Sequence, residues 1–160
     1  MTNLYPGLAR GEIGPRDANT VLNIIANEAD MEMGGVVKLA TPPSTELLPR
    51  ADKTDAITDL GYGIIVGGDN DGIFGDGGSS PADDTTKASL LAGDAIVIVT
   101  QGRCPARISE ATTLGAALSP DANGDLQLAD TATHNIICIA LQAGSAGDII
   151  AVDVQREGQF

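Results

Sequence analysis

Short apolar runs, rich in β-branched residues and closed by glycine, asparagine or aspartate, recur from residue 90 to residue 154. Residues 95–100 read AIVIVT and residues 135–141 read NIICIAL, both without the polar alternation of a strand with one wet face. Such runs suit strands buried on both faces, as inside a sandwich or barrel. Gln101-Gly102 reads as a turn, with residues 104–108 returning beside 95–100. Residues 114–118 form a further short strand. Asn123-Gly124 supplies the positive φ angles of a hairpin, and residues 126–128 pair back. Residues 149–154 alternate and close the set. Five or six short strands at this spacing predict an all-β domain, a small barrel or sandwich of antiparallel strands.

The core of that domain has to be aliphatic. Hydrophobic residues make up 42% of the 160, but aromatics only 2%, so packing falls to Ile, Val, Leu and Ala. β-Branched side chains fit a pleated surface better than a helix.

Upstream the pattern is weaker. Residues 1–20 hold two prolines and no sustained apolar period, and they read as an extended N-terminal arm ahead of a single β-rich domain over 21–160. Leu22, Ile25, Ala29 and Met33 share one helix face, which leaves open a short helix over 17–27 capped by Asp17. From Asn27 the alternation of Ala29, Met31 and Met33 against Glu28, Asp30 and Glu32 predicts a half-buried strand. Residues 36–39 continue as a strand, 41–59 read as a proline-containing connection, and 61–66 as a short strand. Residues 67–84 form a long loop rich in glycine and aspartate.

Charge narrows the partners. The net charge is −13, from 22 acids and 9 bases, and residues 51–100 alone carry nine acids against two bases. Phosphate backbones and anionic lipid surfaces repel such a chain, so neither nucleic acid nor membrane is an expected partner, whereas a basic protein surface is. No basic stretch followed by an apolar run opens the sequence, and no stretch approaches the ~20 apolar residues of a spanning helix. The expected origin is a cytosol.

Chemistry-bearing residues are few. In the Gly/Asp loop Asp69, Asp71 and Asp76 are hard oxygen ligands of the kind calcium takes. The EF-hand spacing fails, with Ile73 at an acidic position and Ser80 where a glutamate belongs. They remain weak metal candidates, and a solvated loop explains them. Asp121, Asn123 and Asp125 are accounted for by the hairpin turn. His134 is the only histidine, so a His-rich metal site is excluded. Cys104 and Cys138 sit in apolar runs and read as buried thiols. No nucleophile elbow, zinc-protease motif or phosphate-binding loop is present. No catalytic residue and no cofactor are expected.

Several of these segments together resemble the capsid decoration, or cement, proteins of tailed bacteriophages. Ala92-Gly93-Asp94-Ala95-Ile96-Val97-Ile98-Val99 is followed by Gly102, then Gly115-Ala116-Ala117-Leu118 and the turn at 121–124. Ile139-Ala140-Leu141-Gln142-Ala143 and Ala146-Gly147-Asp148-Ile149-Ile150-Ala151-Val152 are similar to the segment that closes the family's small barrel. Residues 27–37 and 61–66 resemble its upstream strands, with Met33 where an aromatic is usual. The resemblance covers roughly residues 24–154. It implies a non-enzymatic virion protein on the capsid exterior, made in the host cytoplasm, that clamps adjacent subunits of the major capsid protein and forms dimers or trimers. It also implies contacts from the arm, with Tyr5, Arg10 and Arg16 as candidates, and from Arg103 and Arg107 near the strands. Arginine pairs well with a partner's carboxylates, although ordinary surface charge also explains these residues. The alternatives are a ligand-binding or adhesive β-module and, behind it, a metal-dependent all-β hydrolase using the 67–84 loop.

Overall fold

The computed structural model describes residues 19–41, 48–68, 92–130 and 134–155. Most of the expected arm, and the loop from residue 69 onward, lie outside them. Nine strands form the described fold, and no helix occurs among the described residues. The all-β expectation holds. Segment 19–26, the described part of the possible helix, is strand.

Five strands make a closed barrel: β1 (Thr20–Ala26), β2 (Val36–Leu39), β3 (Arg50–Lys53), β4 (Gly63–Gly68) and the first half of β5 (Ala95–Arg107). They run in the order β1-β3-β2-β4-β5, and β5 pairs back onto β1 to close the ring. One contact departs from the antiparallel expectation. β1 and β3 pair in parallel, through Ile25↔Arg50 and Ala26↔Ala51. The second half of β5 leaves the barrel and starts a second antiparallel sheet. There it pairs with β9 (Ile149–Val154), followed by β8 (Cys138–Ala140), β6 (Ala117–Pro120) and β7 (Leu126–Leu128).

The doubly apolar runs follow from this arrangement. Side chains alternate across a strand, and β2, β4 and β5 each separate two cores. Val37, Ile65, Ile96 and Ile98 point into the barrel, where they meet Ile24, Ala26, Met31 and Ala51. Val36, Ile64 and Val99 point outward against the inner face of the second sheet, including Cys104, Leu118, Cys138, Ile150 and Val152. Barrel and sandwich are thus both present, sharing one wall.

Four local expectations need correction. Gln101-Gly102 is not a hairpin: β5 runs through it for 13 residues. Gly102 has φ 106°, which lets the strand swing from one sheet to the other. The Asn19 side chain straddles the bend, accepting from the Arg103 amide at 2.9 Å and donating to the Arg103 carbonyl at 3.0 Å. Secondly, residues 27–33 form no strand beyond a single bridge at Met31, because Asp30 (φ 64°) and Gly34 (φ 81°) turn the backbone. Thirdly, β3 lies within the stretch read as connection; Ala51 fills the barrel, and pairing to β1 and β2 holds it. Finally, β6 starts at Ala117, since residues 114 and 115 form a turn.

Candidate functional site

Most of the expected site residues, Tyr5, Arg10, Arg16, Asp69, Asp71 and Asp76, lie outside the described residues. The two remaining arginines both sit on the second half of β5, in different roles. Arg103 is exposed, directly across from Asp153 of β9. The Arg107 side chain is largely covered and donates to the Glu32 carboxylate, with Asp125 3.9 Å away. This charge ties the 31–35 segment of the barrel to the hairpin of the second sheet. The three residues border a polar groove of about 130 Å³, with Met31, Lys53 and Asn123.

The other chemistry-bearing groups are absorbed by the fold. Asp121 is buried, and its Oδ1 accepts from the amides of Asn123 at 2.7 Å and Asp125 at 2.8 Å. That is an aspartate-capped turn. The His134 Nδ1 lies 3.1 Å from Ser119 Oγ and accepts from the Asp130 amide at 3.1 Å. Ser119 is fully buried, so this pair offers no accessible nucleophile. Cys104 and Cys138 are free and buried on the inner face of the second sheet. Burial, helped by the charge of Asp153, pushes the Cys104 thiol up to about 12; Cys138 is also raised well above its usual value, chiefly by burial. Neither is a thiolate near neutral pH. Among the described residues no group of three or more His, Cys, Asp or Glu side chains is placed to hold a metal.

The surface feature that stands out is apolar. A cleft of about 240 Å³ lies where the barrel meets the second sheet, lined by Leu60, Tyr62, Thr100, Ile136, Ile137 and Val154. Leu60 is 61% exposed, an uncommon position for a large aliphatic side chain within a built loop. The loop is built by charge. The Asp59 carboxylate accepts from the amides of Asp55 at 2.9 Å and Ala56 at 3.0 Å, and from Lys38 Nζ at 2.9 Å. Burial works against that charge, but these donors outweigh it and hold the Asp59 carboxyl below its usual range. From the other side Asn135 Nδ2 donates to the carbonyl of Thr58 at 2.8 Å. Gly61 then passes so close to Ile137 that a Cβ there would meet its side chain at 2.8 Å. The cleft can bind an apolar side chain; it presents no ionisable group to a reacting one.

The architecture defines a class: an all-β fold with a five-stranded barrel that shares a strand with an antiparallel sheet. Comparison with solved structures finds this fold in the N base of head fiber gp8.5 of bacteriophage phi29, with a TM-score of 0.51 and 8% identity. The match covers 87% of this chain and 96% of that one. No protein-family model matches the chain. No curated protein matches it either.

Proposed function

We propose that this chain is a structural protein of a phage particle that attaches to the outside of the head, binds the major capsid protein and acts without catalysis. The observation that carries the reading is the shared fold with a phage head fiber base over nearly the whole of both chains. The decoration-protein resemblance of residues 24–154 supports it from the sequence side. So do the excess of acids, suited to a basic docking surface, and the reactive groups buried within the fold. Repetition on a capsid lattice makes modest individual contacts sufficient, because many copies bind at fixed positions. The apolar cleft at Leu60, the exposed Arg103 and the arm residues Tyr5, Arg10 and Arg16 are the proposed contacts.

The test is quantitative mass spectrometry of purified virus particles, followed by sedimentation of recombinant chain with capsids that lack it. A fixed, high copy number per particle and saturable co-sedimentation support the reading. A chain found only in the free lysate, and failing to sediment with capsids, sinks it.

A further inference from the structure

The barrel closes incompletely. In β1 the amides of Ala26, Ile25 and Asn27 fix which way each residue points. Ala26 donates to the Asp94 carbonyl on the β5 side at 2.8 Å, whereas Ile25 and Asn27 donate to the Pro49 and Ala51 carbonyls on the β3 side, each at 2.9 Å. Strand alternation then turns the N–H and C=O of Val21 and Asn23 away from β5, toward the β3 side. The β1–β3 pairing, however, is confined to Ile25 and Ala26. Among the described residues nothing runs beside Val21 and Asn23 on that side, and both are exposed.

The other free margin of the fold is treated differently. Along β7, Leu126 is bridged to Ile108, its carbonyl accepts the Ser109 amide at 2.8 Å, and the Leu128 amide is capped by Glu110 Oε1 at 2.6 Å. Edges left bare usually carry a charge or a proline that blocks pairing. Residues 20–26 read TVLNIIA, with neither. In a chain of net charge −13 this neutral strip is a place where two copies can approach without carboxylates meeting.

We propose that two copies of this chain pair through the open edge of β1, antiparallel about a two-fold axis at Leu22. This register sets Val21 of one copy opposite Asn23 of the other. Both residues present N–H and C=O, so the two symmetric pairs make four backbone hydrogen bonds. A two-fold contact has to be self-complementary, and this edge is. The seam is far smaller than a standard interface, so its dissociation constant is on the order of 0.1 mM in free solution. The proposal holds whether or not the chain sits on a capsid.

Analytical ultracentrifugation over a wide concentration range, with amide hydrogen exchange at each end of it, tests this on the full chain. The expected result is a monomer–dimer equilibrium in which the Val21 and Asn23 amides exchange more slowly as dimer forms. Asn23→Pro removes one outward amide and leaves the β5 side of the strand untouched, a position where an edge proline is tolerated. It should weaken association at least about tenfold. Val21→Asp, which alters only an exposed side chain, should do the same by placing acids in the seam. Thermal melts of both variants verify that the barrel is intact. A wild-type chain that stays monomeric throughout overturns the proposal. So does a dimer that survives both substitutions, or protection of both amides already in the monomer, which would place another part of the same chain on this edge.

Discussion

Gly102→Ala tests the joint between the two sheets. At φ 106° an L-residue is strained, at a cost of about 1–3 kcal/mol. The added methyl would also stand 2.3 Å from Asn19 Oδ1 and 2.9 Å from Asn19 Cα. Asn19 must therefore move, and its two hydrogen bonds to Arg103 contribute about 0.5–1.5 kcal/mol each. Together the loss is about 2–6 kcal/mol, a fall in Tm on the order of 10 °C for a domain of this size. Gly115→Ala and Gly147→Ala are the controls. Both glycines have positive φ, at 83° and 87°, but nothing lies within 4 Å of an added Cβ. They should lose only the strain, about 1–2 kcal/mol. Thermal and urea denaturation followed by circular dichroism would read all three. In an Asn19→Ala background the extra cost of Gly102→Ala should shrink, because the obstructing oxygen is gone. If Gly102→Ala is no worse than Gly115→Ala, Asn19 does not brace the bend and the argument fails.

Two further outcomes follow from buried and paired groups. Cys104 and Cys138 should be inert to thiol reagents at pH 8 in the folded chain and react fully in denaturant; rapid labelling of the native protein would contradict the burial that raises both thiols. Asp59, whose carboxyl is held below its usual range, stabilises the fold above the normal carboxylate pKa of about 4 and loses that contribution as pH falls through its lowered value. Asp59→Asn should accordingly lower Tm at pH 7, with the gap to wild type closing near pH 2; an equal gap at both pH values would exclude the charge as the cause.

The parts of the fold legible in the sequence are those whose neighbours are close in sequence or whose burial is two-sided. The runs at 95–100 and 63–66 announced strands because both of their faces are covered, which forces apolar residues at consecutive positions. The hairpin at 121–126 was legible through Asn123-Gly124, and Gly124 indeed takes φ 82°. Gly102 misled for a physical reason. A glycine after a polar residue suits a turn and a bend equally, and the side chain that settles it, Asn19, is 84 residues away. The acids at 28, 30 and 32 imitated a strand's wet face but serve the tertiary structure. Glu28 accepts the Lys53 amide and Glu32 holds Arg107. β3 was hidden because a four-residue strand with one buried side chain has almost no pattern of its own. The cleft was illegible for the same reason as the bend: Leu60, Tyr62 and Ile136 belong to separate segments, and only the fold gathers them.

The wall shared by both cores also orders events in time. β1 reaches its β5 partners only across a separation such as Thr20 to Gln101, so the ring cannot close until residue 101 exists. On a ribosome, the first four strands emerge before the strand that completes them. They wait as an unfinished surface, and both cores then condense around one late arrival. Topologies dominated by such distant pairings fold in milliseconds to seconds, not microseconds. A chain of this design is most exposed to misassembly before β5 is available, and a neutral β1 is then the strand with most to lose.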